Sequence, residues 1–166
     1  MKSILISIKP QYVEKILNGE KTIEIRKTKP NIELPCKVYI YCTMPNKQEN
    51  RKPHSWEVVW LKRVVAEFTL KNISYWQPYW APEVMHICDI SEKSCVSIED
   101  LMQYCGNGII YALHIEDLEI YDKPKELSEF THNVPNYSNG VVMYSLKKEP
   151  LKRPFQSWGY VNGTDN

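Results

Sequence analysis

Lys21, Thr22, Glu24 and Arg26 fall within one short run, GEKTIEIR, where two cations flank a carboxylate. That grouping suits two kinds of chemistry. Lys and Arg can hold a phosphate, with the Arg fork binding two oxygens at once. Glu24 can then accept a hydrogen bond from a base edge, as acids do with the cytosine amino group. The second kind is hydrolysis, with Glu24 as general base and Lys21 as electrostatic stabiliser, which makes Lys21 and Glu24 the candidate catalytic residues. Thr22 is a weak nucleophile unless a base lies within hydrogen-bond reach, and the sequence assigns it none. A charged strand face that is merely solvated gives the same pattern. A carboxylate between two cations is better suited to accepting hydrogen bonds and organising those cations than to moving protons.

The elements around this run would position it. Ile4, Ile6 and Ile8 alternate with Leu5, Ser7 and Lys9, which predicts a first strand ending at Lys9. Pro10 suits a first helical turn, and Val13, Ile16 and Leu17 recur at helical spacing until Gly19 stops the helix, predicted over about 10–18. A second strand over 22–27 puts Ile23 and Ile25 on one face and Thr22, Glu24 and Arg26 on the other. Lys9, Lys21, Thr22, Glu24 and Arg26 then become candidate ligand contacts in one cleft. Lys21 and Arg26 are expected to form an anion site.

Further along, residues 36–43 predict a third strand, 44–57 a long polar loop, and 58–70 a long strand or bent hairpin arm. The segment 75–82 is dense in aromatics and proline and reads as irregular; 86–90 reads as a short strand. Ser97 with Asp100 resembles a capping box, so a helix begins there and ends at Gly106 and Gly108. Residues 109–121 form a strong strand pattern with a bulge near Glu116, and 124–130 a helical turn. A cluster of turn residues at 131–140 reads as a loop, with last strands at 141–146 and 157–161.

Aromatic residues crowd the middle of the chain: Trp56, Trp60, Tyr75, Trp76, Tyr79 and Trp80, with Trp158 near the end. Such rings stack on single-stranded RNA bases, and Trp158 is a candidate contact; equally, proline-flanked tryptophans plug small barrels. Lys47, Arg51, Lys52 and His54 could track a phosphate backbone or simply be a solvated loop.

The chain has 166 residues, 43% hydrophobic and 25% charged, which fits one globular domain with a substantial core. The net charge of +1 hides an asymmetry: residues 1–71 carry 14 Lys/Arg against 7 Asp/Glu, and 72–130 carry 3 against 11. The basic half offers local positive potential for a polyanion. The acidic stretch 83–129 offers a protein-contact surface instead. No run of 18 apolar residues predicts a membrane span, and the first residues read as a strand and not a signal peptide, so a cytoplasmic protein is expected. Five cysteines, at 36, 42, 88, 95 and 105, give an odd count with no C-x2-C pair, so neither a disulfide framework nor a metal site is expected even with His86 nearby. No HExxH or P-loop pattern occurs, and no cofactor is expected.

The run ISIKPQYVEKILNGEKTIEIRK, residues 6–27, resembles the ASCH family of the PUA-like superfamily, whose motif has the form G-x-K-T-x-E-x-R. Here the motif positions are Gly19, Lys21, Thr22, Glu24 and Arg26. VVAEF resembles the family's central strand, and LKRPFQSWGYV, residues 151–161, a C-terminal segment of some bacterial and phage-associated members. The resemblance implies an α+β, β-rich, PUA-like pseudobarrel with a few short helices, as a single domain over 1–166 with its core motif in 4–121 and C-terminal strands in 141–161. It implies RNA or a nucleotide as partner, bound beside the motif strand. Some small members are amidohydrolases of N4-acetylcytidine-type nucleosides, and others are reported as nucleases. In the amidohydrolases a threonine nucleophile stands three residues after the lysine that Lys21 matches. Glu24 occupies that position here, a departure from their pattern.

Overall fold

A computed structural model describes residues 2–45, 54–55, 57–78, 86–138 and 141–163. Lys47, Arg51, Lys52, Trp56, Tyr79 and Trp80, singled out above, lie outside the described residues. The chain is strand-rich, at 46% strand, with a few short helices.

Two sheets carry the fold. The larger is centred on β1 (Lys2–Ile8), which pairs in parallel with β3 (Cys36–Cys42) and antiparallel with β10 (Trp158–Asn162). β1 is buried from Ser3 to Ile8, as a strand covered on both faces must be, and this is why its sequence is almost continuously apolar. β4 (Arg63–Leu70) and β7 (Glu116–Glu126) extend this sheet beyond β3; β8 (Thr131–Ser138) and β9 (Val141–Pro150) extend it beyond β10. The smaller sheet has the order β2 (Ile23–Arg26), β6 (Ile110–His114), β5 (Ile73–Trp76). One strand-forming run, 110–126, serves both sheets. It leaves the small sheet after His114, and its extended course resumes in the large sheet at Glu116, with Asp117 at φ 48°. The bulge expected near Glu116 is this transfer point.

Three apolar layers hold the sheets. Ile4, Ile6, Ile8, Val38, Ile40, Phe68 and Leu113 fill the space between the sheets, closed by Val13 and Ile16 of α1 (Pro10–Leu17). Leu5, Tyr39, Val64, Phe130 and Val161 pack the other face of the large sheet. Ile23, Ile25, Ile110 and Ala112 of the small sheet pack on Ile90 of α3 (Ile87–Ser94) and Leu101 of α4 (Ile98–Cys105). α1 begins with Pro10 at its first position and gives way to Gly19 at φ 83°, a left-handed conformation that glycine adopts without Cβ strain.

Four expectations are corrected. Tyr75 and Trp76, read as irregular, end β5, where they pair with Tyr111 and Ile110 of β6. Residues 58–70 do not form one strand. A single helical turn, α2 (Glu57–Trp60), comes first, with the Glu57 carboxylate accepting the His54 amide at 2.8 Å, and Lys62 at φ 62° turns the chain into β4. The 86–90 segment is the start of α3, because Ile87, Ile90 and Ser94 at helical spacing face the small sheet. Residues 131–138 are a strand: Pro135 adjoins a register shift between Pro135 and Asn136, a place where a strand tolerates proline. By contrast, the Ser97 hydroxyl caps α4 as expected, accepting the Asp100 amide at 3.1 Å.

Candidate functional site

Lys21 follows the α1 turn, and its amide is tied to the Lys15 carbonyl at 2.8 Å. Its side chain is 2% exposed, donates to the Ser94 carbonyl at 2.8 Å and pairs with Glu24 Oε2 at 3.1 Å. The other Glu24 oxygen accepts from Arg26 Nη1. Arg26 also donates to the carbonyls of Ile25, at 3.0 Å, and Ser7, at 2.7 Å. Its Nε is buried with no hydrogen-bond partner among the described residues. The alternation expected of this strand holds: Ile23 and Ile25 go to the helix-facing core, and Glu24 and Arg26 to the opposite face. That face is not solvated. Glu24 is 5% exposed, and the three side chains form one buried polar knot.

Two cations share one carboxylate in this knot, so one of their two charges is balanced internally and a formal charge of +1 remains. An anion arriving here meets Lys21 and Arg26 already engaged, which differs from a ready-made phosphate site. Burying these charges is tolerable only because each is paired and hydrogen-bonded.

The knot forms the floor of a cleft of about 820 Å³. Ser7, Ile8 and Lys9 at the end of β1, Tyr12 of α1, and Lys27 after β2 line one part of it. Asp100, Gln103 and Tyr104 of α4, with Gln156 and Ser157 before β10, line the rest. Lys9 and Lys27 are exposed at the cleft, and neither has an ion-pair partner among the described residues. The Lys27 ammonium lies 4.8 Å from the centre of the Tyr104 ring, and Lys21 lies 5.2 Å from that of Tyr12.

Of the residues singled out from sequence, the structure brings together Lys9, Lys21, Glu24 and Arg26. Thr22 is exposed and does not line the cleft; its amide and carbonyl bond to Lys93 and Ile115. Trp158 is also outside the lining. It packs against the core between the sheets, and its indole donates to the Thr28 hydroxyl at 3.0 Å. Tyr160 likewise accepts the Asn31 amide at 2.8 Å. These two rings of β10 pin the 28–31 segment that follows Lys27. Trp60 and Trp76 pack against core clusters, and Tyr75 is half exposed. Sequence reasoning missed Tyr12, Lys27, Tyr104 and Gln156. Tyr104 follows Leu101 at i+3 on an amphipathic helix, which placed it near the core face but gave no sign of a cleft.

Among the described residues no group of His, Cys, Asp and Glu could hold a metal ion. No described helix is long and apolar enough to cross a membrane.

No curated protein matches the chain. The crystal structure of ASCH from Zymomonas mobilis superposes with a TM-score of 0.53 at 20% identity, covering 75% of this chain and 73% of that one. A mutant of the same protein gives the same TM-score and identity over 76% and 77%. At that identity the likeness concerns the fold. The ASCH domain family model matches residues 6–149, and ASCH domains are generally RNA-binding. The chain therefore belongs to the ASCH domain family.

Proposed function

We propose that the cleft beside the G-x-K-T-x-E-x-R motif binds RNA or a nucleotide, in the cytosol. The observation that carries this is the pairing of an engaged floor with free cations at the rim. Lys9 and Lys27 supply positive charge that no described residue pairs with, and two rings line the same cleft, Tyr104 against Lys27 and Tyr12 against Lys21. Phosphates would sit against Lys9 and Lys27, and a base would enter over the knot. Glu24 keeps lone pairs beyond those used by Lys21 and Arg26 and could accept a base amino group. Five free thiols suit a reducing compartment.

The test is binding of labelled single-stranded RNA by the chain and by a K9A/K27A variant across a salt series. Affinity should fall steeply with salt, and the variant should bind more weakly with a shallower slope. Unchanged affinity in K9A/K27A would remove the cleft as the site.

One observation favours a second reading, a hydrolase acting on a modified nucleoside or on RNA. Lys21 and Glu24 form a buried cation–carboxylate pair at the floor of a cleft large enough for a nucleoside. In that reading Glu24 is the base and Lys21 stabilises developing negative charge. Turnover by the wild-type chain that vanishes in E24Q would establish it.

A further inference from the structure

The segment from Pro150 to Trp158 leads from the β8–β9 ribbon into the cleft, and it is fixed at both ends. Leu151 is buried, and its amide donates to the Phe130 carbonyl at 2.8 Å. At the other end the Ser7 hydroxyl donates to the Phe155 carbonyl at 2.6 Å, and the Ser7 amide to the Ser157 carbonyl at 2.9 Å. The Phe155 ring lies so close over Gly159 that it would overlap any Cβ there. Between these anchors Lys152 and Arg153 stand exposed, and neither forms an ion pair with any described residue.

We infer that Lys152 and Arg153 continue the cleft as a track for the backbone of single-stranded RNA, so that the ligand is an oligonucleotide longer than the cleft itself. The inference rests on nucleic-acid binding at the cleft. Arg153 stands three residues before Gln156, a cleft residue, so their Cα atoms are at most about 11 Å apart. A short stretch of nucleic-acid backbone covers that distance.

The charge around the pair is one-sided. Residues 147–153 carry Lys147, Lys148, Lys152 and Arg153 against a single acid, Glu149. Glu149 is held by Lys147 at 2.6 Å. The excess of positive charge therefore remains available to a polyanion. The floor of the cleft adds only a formal +1 to this, on side chains already bonded to Glu24. A mononucleotide reaches no further than Lys9 and Lys27; a longer strand brings further phosphates that Lys152 and Arg153 can meet. The two anchors and Pro154 also fix the segment before ligand arrives, which lowers the ordering cost of binding.

The test measures anisotropy of labelled single-stranded RNAs of about two and about ten nucleotides, lengths below and within the usual range for one small domain. Wild type, K152A/R153A and K9A/K27A are compared between about 50 and 200 mM salt, with thermal melts confirming that each chain is folded. The expected result is that K152A/R153A binds the longer RNA about tenfold more weakly. Its salt slope should fall by about 1.4, the value for two lost phosphate contacts on a single strand. The short RNA should bind K152A/R153A and wild type alike. Unchanged affinity and slope for the longer RNA in K152A/R153A, with K9A/K27A weakened, overturns the track and leaves the cleft standing. Equal loss for both lengths overturns it too, because the pair would then act at the cleft itself. Unchanged binding in K9A/K27A, or no RNA binding by wild type, overturns the cleft and the track with it.

Discussion

The Arg26 guanidinium donates to the Ser7 carbonyl at 2.7 Å, joining β2 of the small sheet to β1 of the large one. Ser7 uses its remaining polar groups on the C-terminal segment, at Phe155 and Ser157. β1 and β2 share no strand ladder. Their alignment at the cleft floor therefore depends on side-chain bonds, and Arg26 supplies one of them while also holding Glu24.

Removing Arg26 should be costly. R26A strands a buried Glu24 with Lys21 alone and deprives the Ser7 carbonyl of its donor. The expected loss is about 3–5 kcal/mol, the range for breaking one partner out of a buried ion pair. R26K keeps the charge without the planar fork and should fall between. K27A, at an exposed position, should change stability by no more than about 0.5 kcal/mol. Urea midpoints measure all three, and an R26A midpoint matching that of K27A would show that the knot does not hold the sheets together.

Gly159 gives a second stability test, directed at the C-terminal segment. A Cβ at this position overlaps the Phe155 ring, which packs against the outer core layer. G159A should therefore displace Phe155 and destabilise by about 1–3 kcal/mol, as overpacking does. The paired change G159A/F155A should recover part of that loss if the overlap is its cause. No recovery would mean the damage arises elsewhere in β10.

The N-terminal half of the site was legible because local signals and tertiary packing agree there. Alternation in β1, Pro10, Gly19 and the Ile23/Ile25 phase each specify one conformation, and the fold adopts it. The misreadings share a cause: the deciding partner is distant in sequence. HICDI is too short a run to show its period by itself, and Ile87 and Ile90, three residues apart, meet the small sheet as one helix face. THNVPNYS looks like a loop because its proline and asparagines are turn formers, yet β9 pairs with it across a register shift that accommodates Pro135. In the site, the spacing of Lys21, Glu24 and Arg26 showed that they share a face. It could not show that Ser94 and Ser7, from α3 and β1, would complete and bury the knot. Trp158 reads from sequence either as a base contact or as core, and it packs on the core between the sheets while its bond to Thr28 clamps the neighbouring segment.

Away from the cleft, a pH effect should come from Glu67. It accepts hydrogen bonds from Lys37 and Tyr121, with Lys125 placed 4.2 Å from the centre of the Tyr121 ring. Burial pushes the Glu67 carboxyl up, but the bonds from Lys37 and Tyr121 and the Lys37 charge outweigh it and hold the group below its ordinary value of 4.5. A carboxyl with a lowered folded-state pKa binds fewer protons than in the unfolded chain. Its contribution is therefore fully present above about pH 4.5 and is lost as pH falls from there through the folded-state value. Denaturation midpoints between neutral pH and pH 3 should fall more for wild type than for E67Q, which has no such proton to take up. Y121F removes one donor and should cost about 1–3 kcal/mol near neutral pH. Parallel pH profiles for wild type and E67Q would remove Glu67 as the source.

Glu24 decides between a binding module and an enzyme. Each of its oxygens already accepts from a cation, Lys21 on one and Arg26 on the other. In a module its task is to keep both cations in place and to accept from a ligand donor. E24Q then leaves two buried cations with a neutral amide, and affinity for RNA should fall by about 1–3 kcal/mol, the worth of a charge-assisted hydrogen bond. In an enzyme Glu24 takes a proton from water or substrate. E24Q then leaves affinity close to that of wild type and lowers turnover by about a hundredfold or more. Stability must be measured on the same variant, because the knot also holds the fold; E24D, which keeps the charge on a shorter arm, separates the two effects. Lost affinity in an E24Q chain that melts show to be still folded, with E24D binding close to wild type, supports the module. Intact affinity with lost turnover of a nucleoside or RNA substrate would make Glu24 a catalytic base and this protein a hydrolase.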